Sequence, residues 1–180
     1  MKRASWIYLI IIVVCLVITF VATYYTLGGY DKVEVYEAEG GNRTVIGRHY
    51  IGPQTSDINE VMEEIKAMVD EGRLRGQLTM VEYHNDTIGA DSVHYFIGAS
   101  FEEIRNILEI PSGLTYEEFT TSKIYQVFIT QHPLVRPFPA EIRSLIEVRS
   151  IEDGVVLAPY TFDVYYSDGS LRTEVWVKKN

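Results

Sequence analysis

The chain has 180 residues, of which 47% are hydrophobic, and its formal net charge is −9. Lys2 and Arg3 are the only basic residues before residue 31, so residues 31–180 carry 14 basic and 25 acidic side chains, a net charge of −11. Nucleic acids and anionic lipid headgroups select basic surfaces, so this balance argues against both as partners of the soluble part. The single cysteine, Cys15, excludes an intramolecular disulfide and a metal site built from several thiolates.

Residues 4–30 form an uncharged segment at the N-terminus. Its apolar part, residues 6–27, exceeds the roughly 20 residues that a helix needs to cross a bilayer. Aromatic side chains stand near both ends, as is typical of residues at the two membrane interfaces: Trp6, Tyr8, Tyr24 and Tyr25. We therefore predict a transmembrane anchor over residues 1–30 that contacts the lipid bilayer through residues 6–27.

The charges that flank the anchor predict its orientation. Lys2 and Arg3 precede it and Asp31 follows it, so the positive-inside tendency predicts a cytoplasmic N-terminus with the domain outside. A cytosolic domain is the alternative topology. A cleaved signal peptide is a second alternative, but its apolar core would span only about 7–15 residues before a site of small residues. The best cleavage sequence here, residues 21–23, ends in a bulky threonine.

The elements predicted for residues 31–100 are a strand pair, a helix and a second strand pair: strands over 33–38 and 44–51, a helix from 57, and strands over 77–84 and 93–99. The Glu-Gly-Gly-Asn sequence at 39–42 is typical of a hairpin turn. The helix is predicted to begin at Asp57, because Glu60 stands at the capping-box spacing and apolar residues then recur every three or four positions until Gly72.

Residues 114–180 repeat this order: strands over 116–121 and 123–130, a helix from 139, and strands over 157–166 and 171–178. Pro139 suits the first turn of a helix, and Asp153 with Gly154 is expected to end it. Residues 101–113 are the predicted joint. The fold class is therefore an N-terminal transmembrane helix followed by an α+β domain of two hairpin–helix–hairpin pseudo-repeats, with a ligand cleft between them.

Three short motifs resemble the GyrI-like small-molecule-binding domain of bacterial multidrug-sensing regulators. Residues 47–53, Gly-Arg-His-Tyr-Ile-Gly-Pro, are similar to a strand-ending segment of that family, and residues 94–98, His-Tyr-Phe-Ile-Gly, to its fourth strand. Residues 159–165, Pro-Tyr-Thr-Phe-Asp-Val-Tyr, resemble its late motif of a proline, an apolar residue, an acid and a tyrosine. With the anchor included, the layout over residues 6–178 is similar to that of a single-pass ER-phagy receptor of animals.

Asp163 is the leading candidate for contact with a ligand. Strand side chains alternate, so Asp163 and Tyr165 are expected on one face of their strand. In regulators of the resembled family the acid of this motif pairs with cationic ligands in an aromatic pocket, and the resemblance implies the same for Asp163. The alternative is a solvated acid on an edge strand. Further aromatic candidates, for which core packing is the alternative, are Tyr50, Tyr95, Tyr125 and, at the rim, Trp176.

The leading hypothesis is a membrane-anchored, non-enzymatic domain that binds a small, partly apolar ligand, neutral or cationic. One alternative is a membrane-tethered adaptor related to an ER-phagy receptor, which would dock a protein partner. Another is a small hydrolase that uses the same cleft, with Glu82, Glu174 and Asp163 as acid or base candidates. We expect no cofactor and no metal, because the four histidines form no i, i+4 pair and the soluble part has no cysteine.

Overall fold

The computed structural model describes residues 2–55, 57–84, 89, 91–101 and 110–178, with side chains described from residue 6 onward. The chain divides into two compact units: Met1–Lys32 with Thr130–Pro137, and Val33–Ile129 with Phe138–Asn180. We call them the helix unit and the sheet unit. Most of the predicted joint, residues 102–109, lies outside the described residues.

The helix unit is built on α1, Lys2–Thr26. Within it, the 21 residues of Trp6–Thr26 have a mean hydropathy of 2.8, so the helix is long and apolar enough to cross a bilayer by length and composition. The segment around His132 belongs to the same unit, since the His132 N–H donates to the carbonyl oxygen of Leu27 at 3.1 Å.

The described part of the sheet unit contains the following elements in chain order: β1 Tyr36–Glu39, β2 Asn42–Pro53, α2 Asp57–Asp70, β3 Gln77–Tyr83, β4 Ser92–Phe101, β5 Thr115–Thr120, β6 Lys123–Ile129, α3 Pro139–Glu152, β7 Leu157–Tyr165 and β8 Leu171–Val177. This order confirms the predicted α+β class and both predicted helix starts. The first strand begins at Tyr36, three residues later than predicted, and Val33 and Val35 instead pack against the core beneath α3.

The strands form one antiparallel sheet in the order β1-β6-β8-β7-β3-β4-β2-β5. The predicted hairpins β3–β4 and β7–β8 are confirmed. The other two predicted hairpins are wrong, because β1 pairs with β6 and β5 pairs with β2. The first strand of each half thus completes the edge of the other half, and β3 pairs with β7 to join the halves. If each strand of the first half is exchanged with its counterpart in the second half, the same strand order results, read from the opposite edge of the sheet. This symmetry is expected for a pseudo-repeat.

The strand exchange occurs where two short connections cross. The Gly40 N–H donates to the carbonyl oxygen of Ser122 at 2.9 Å, and the Thr121 N–H donates to that of Gly41 at 3.1 Å. A Cβ atom at Gly40 would overlap the Thr121 carbonyl group, so the crossing requires glycine there. A Gly-Gly sequence that locally predicts a hairpin turn therefore serves a close approach between two chain segments.

Helices α2 and α3 lie on the same side of the sheet, which we call the helix side. Ile65 of α2 packs in a cluster with Ile97 of β4, and Ile146 of α3 packs in a cluster with Val127 of β6. Ile97 and Val127 share a face because they are the ends of one row of cross-strand partners: Ile97, Met80, Asp163, Thr173 and Val127.

The opposite side, which we call the aromatic side, has its own core, and the sheet curls toward it. Phe119 of β5 and Trp176 of β8 have ring centroids 6.3 Å apart although four strands lie between theirs in the sheet. Gly47 and Gly98 are paired on this side, and a Cβ atom at either would overlap the backbone of the other strand. Glycine at this pair allows β2 and β4 to approach closely on the inside of the curl.

Candidate functional site

Polar groups occupy the middle of the helix side. Helix α2 packs over β3 and β4, and α3 packs over β6 and β8, so β7 lies between the two helices. Paired residues of antiparallel strands share a face, which gives two adjacent rows: Tyr95–Glu82–Thr161–Val175 and Ile97–Met80–Asp163–Thr173. We call Asp163, Glu82 and Tyr95 the helix-side acidic cluster.

Asp163 is the most deeply buried acid of this cluster, with 9% of its surface exposed. Thr173 donates a hydrogen bond from Oγ1 to Asp163 Oδ1 at 2.6 Å. Burial raises the pKa of Asp163 from 3.8 to about 6, the negative charge of Glu82 adds to this, and the Thr173 hydrogen bond opposes it. The carboxylate therefore carries its charge at neutral pH at a cost in free energy, which a ligand cation would offset.

Glu82 supplies a second desolvated carboxylate. Burial raises its pKa, and the nearby guanidinium of Arg143 on α3 opposes that shift. Arg143 itself donates from Nε to Glu147 at 2.7 Å, while its Nη1 is buried without a hydrogen-bond partner among the described residues. Since Glu147 already pairs with Arg143, the acidic cluster keeps an excess of negative charge.

Two further groups adjoin the acidic cluster. Burial, followed by the charges of Glu82 and Asp163, raises the pKa of Tyr95 to about 12, so this phenol stays neutral and remains a donor. The His84 ring lies next to Thr161, with Nε2 2.8 Å from Oγ1. Burial, with help from Arg143, lowers the pKa of His84 to about 4, so the imidazole is neutral at physiological pH.

The structure places the predicted site residues at different locations. Asp163 and Tyr95 are brought together, and Tyr165 lies on the helix side in the apolar cluster under α2. Tyr50 belongs to the same cluster and donates its hydroxyl to the Pro53 carbonyl oxygen at 2.6 Å. Tyr125 is fully buried beneath α3, and Trp176 lies on the aromatic side. Tyr125 and Trp176 therefore do not line one cleft with Asp163.

A buried ion pair dominates the aromatic side. Arg43 donates from Nη1 and Nη2 to the carboxylate of Glu174 at 2.6 and 3.1 Å, with exposed fractions of 6% and 1% for the two residues. The Trp176 Nε1–H donates to the same carboxylate at 3.0 Å. The Arg43 guanidinium also lies 5.3 Å from the ring centroids of Phe162 and Trp176, a cation–π arrangement. Glu174, a candidate acid or base, is thus committed to a structural pair.

A second polar group on the aromatic side joins two histidines to an acid. His49 Nδ1 lies 3.0 Å from His94 Nε2, and His49 Nε2 lies 3.1 Å from Glu117 Oε1. Tyr83 donates to Glu117 and stacks on His94, with ring centroids 4.4 Å apart. Burial and Glu117 raise the pKa of Tyr83, which makes the phenol a poor nucleophile at neutral pH. These groups hydrogen-bond to one another, and the described residues hold no cluster arranged as a metal site.

Sequence reasoning missed Arg43 and gave Glu82 only a general acid–base role. The signal for Glu82 was available, because Leu78 and Met80 precede it at the alternate positions that face one side of β3. An acid at the third such position marks a polar interruption on an otherwise apolar face. No comparable local signal marks Arg43, whose partner is 131 residues away.

Comparison with known proteins shows which solved structures have a similar fold. No protein-family model matches the chain, and no curated protein matches it. Among solved structures, the C-terminal domain of EcmrR is similar with a TM-score of 0.51 at 14% identity, covering 83% of this chain and 98% of that one. EcmrR in its DNA complex gives a TM-score of 0.51 at 13% identity, covering 99% and 71% of the two chains. SAV2435, solved bound to tetraphenylphosphonium, has a TM-score of 0.40 at 10% identity, with coverage of 81% and 92%.

The likeness to the EcmrR domain extends over nearly all of that domain. At this level of identity it concerns the fold alone. The sheet unit therefore has the α+β fold of GyrI-like domains.

Proposed function

We propose that this chain is a membrane-anchored, non-enzymatic binding domain for a small, partly apolar cation. Asp163 and Glu82 of the helix-side acidic cluster would face the positive charge, and Tyr95 would contact it through its ring. The observation that carries the proposal is the pair of desolvated carboxylates on neighbouring strands, both with a raised pKa. Such a pair is unfavourable in the free protein and becomes favourable when a cation neutralises it.

The apolar part of the proposed ligand follows from what surrounds the acids. Met62 and Met68 of α2 pack in the cluster that contains Tyr95 and Met80. Methionine side chains are flexible and polarizable, so they adapt to ligands of different shape. These side chains offer apolar contact beside the acids, so we propose a lipophilic cation.

The first prediction is that lipophilic cations raise the melting temperature of the full chain in a nonionic detergent. Tetraphenylphosphonium, at concentrations well above its dissociation constant, is expected to raise Tm by roughly 5–10 °C at pH 7.5. Asp163→Asn should remove most of this shift, because the amide keeps the size of the side chain and loses its charge. Glu118→Gln, which neutralises an exposed acid on β5, is the matched control and should keep the shift.

The pH dependence separates this site from adsorption of the cation to the acidic surface. Asp163 has a pKa of about 6, so the cation-induced shift should shrink between pH 7.5 and pH 5. Adsorption to exposed carboxylates would persist to lower pH. A shift that is the same in wild type, Asp163→Asn and Glu82→Gln would contradict the proposal.

The second prediction concerns the anchor. We propose that Trp6–Thr26 spans the bilayer with the N-terminus in the cytoplasm, on the strength of its hydropathy and the flanking Lys2 and Arg3. A reporter fused after residue 180 should then be active only outside the cytoplasm. Replacing Lys2 and Arg3 by glutamate should reduce that activity. A reporter active in the cytosol would reverse the proposed topology and favour the adaptor related to an ER-phagy receptor.

Measurements on the same purified protein distinguish the two remaining alternatives, the adaptor and the hydrolase. An adaptor would retain a stoichiometric protein partner through purification in both wild type and Asp163→Asn. A hydrolase would turn over activated esters or strained rings, and that turnover would fall in Asp163→Asn. The raised pKa of Tyr83 and the ion pair of Glu174 with Arg43 support the non-enzymatic proposal over the hydrolase.

A further inference from the structure

We infer that the aromatic side carries a second site, separate from the helix-side acidic cluster, which binds a small organic anion through Arg172 and Arg43. A cavity of about 370 Å³ opens at the end of the sheet where β3 and β8 begin. Its lining includes both arginines together with Gln77, Ser100 and Val164. The volume lies within the range typical of small-molecule pockets.

The charges around this cavity do not cancel. Two guanidinium groups share one carboxylate, that of Glu174, and the described residues that line the cavity include no acid. Glu174 already accepts two hydrogen bonds from Arg43 and one from Trp176. A surplus positive charge therefore remains beside the cavity in a soluble part whose net charge is −11. Inside a partly desolvated recess such a charge attracts anions more strongly than it would at the surface.

Arg172 carries the positive charge that Glu174 does not neutralise. Its Nε lies 2.7 Å from Glu174 Oε1, but the N–H does not point at that oxygen as in a hydrogen bond, so this buried donor has no aligned acceptor among the described residues. The side chain is 20% exposed, with its guanidinium carbon 5.8 Å from the Tyr166 ring centroid and 5.9 Å from that of Phe128. A planar guanidinium in contact with two aromatic rings can receive a carboxylate or phosphate through paired N–H donors.

The remaining walls define the rest of the ligand. Ser100 contributes a hydroxyl group, which is hydrogen-bonded to that of Thr79 at 2.7 Å, and Gln77 adds amide donors at the rim. Phe101 and Val164 provide apolar contact. The chemistry fits an oxyanion, carboxylate or phosphate, attached to a small apolar or aromatic body.

The test uses the full chain in nonionic detergent, with benzoate and phenyl phosphate as probes. Both anions at millimolar concentration are expected to raise Tm by about 3–6 °C above sodium chloride of equal ionic strength, whereas benzamide, which is neutral, should not. Arg172→Met should weaken binding at least about tenfold, and Arg172→Lys should weaken it less. Arg75→Gln, at an exposed position before β3, is the matched control and should bind normally.

A second measurement on the wild-type protein covers the case in which the Arg172 variant does not fold. The NMR signal of the Arg172 Nε–H group should move on addition of benzoate and stay fixed on addition of benzamide. Asp163→Asn should leave anion binding unchanged, so failure of the cation proposal leaves this one standing. An anion effect no larger than that of chloride, or one retained in full by Arg172→Met, would overturn the second site.

Discussion

Replacing Arg43 by alanine is expected to lower the free energy of unfolding by about 3–5 kcal/mol. The substitution removes both guanidinium hydrogen bonds from Glu174, a carboxylate that is 1% exposed, and leaves its charge inside the aromatic core. It also removes the cation–π contacts of the guanidinium with the Phe162 and Trp176 rings. Arg172, already at Glu174 Oε1, compensates in part and sets the lower end of the range.

Urea denaturation followed by the fluorescence of Trp176 measures this loss, in a Trp6→Phe background that leaves one tryptophan. The matched control is Arg48→Ala. Arg48 also makes a 2.6 Å ion pair, with Glu64, but the two side chains are 40% and 48% exposed. An exposed pair contributes at most about 1 kcal/mol. Equal losses in the two variants would show that burial does not govern the Arg43 pair.

A double substitution, Arg43→Met with Glu174→Met, distinguishes an unpaired charge from lost packing. Removing both partners of a buried pair is often neutral or stabilising when the replacements fill the space. The double variant should therefore recover most of the stability lost in Arg43→Ala.

The sequence predicted the elements well because their signals are local. Asp57 and Glu60 mark the start of α2, and apolar residues at helical spacing continue to the glycine that follows it. Pro139 likewise marks the start of α3. Strand pairing was predicted only in part, because a turn sequence says where the chain reverses or crosses and not which strand it will pair with. The β1–β6 pairs join residues separated by the whole first half of the domain.

The candidate site, like the strand pairing, was predicted from the sequence only in part. Alternation along β7 correctly placed Asp163 and Tyr165 on one face and Phe162 on the other. Burial of Asp163 depends on the two helices that flank β7, and the pairing of Glu174 with Arg43 depends on the curl of the sheet. Neither the burial nor the pairing can be predicted from a short window of neighbouring residues in the sequence. For this reason Trp176 was predicted at the rim of the cleft with Asp163, although its side chain lies on the aromatic side.

Asp163→Asn is expected to stabilise the free protein at pH 7.5 by about 3 kcal/mol, from a pKa raised from 3.8 to about 6. The raised pKa means that the folded state holds this proton more tightly than the unfolded state. Both states are protonated below about pH 4, so the wild type and the variant should differ least there. Between about pH 4 and pH 6 the carboxyl group ionises in the unfolded state before it does in the folded state, so the wild type loses stability, whereas the variant does not; above pH 6 the loss levels off.

Urea denaturation of the two proteins at pH 4.5, 6 and 7.5 measures this difference. Asp168→Asn provides the control of opposite sign, because hydrogen bonds from Ser170 lower the pKa of that exposed carboxyl group. A difference between wild type and Asp163→Asn that stays constant with pH would show that folding does not raise the pKa of Asp163, and it would contradict this prediction. If the difference grows with pH, the carboxylate that weakens the free protein is the one proposed to hold the cation. Binding of a cation would then offset the loss of stability that the buried carboxylate causes. This is expected of a residue that binds a ligand and not of one that only packs in the core.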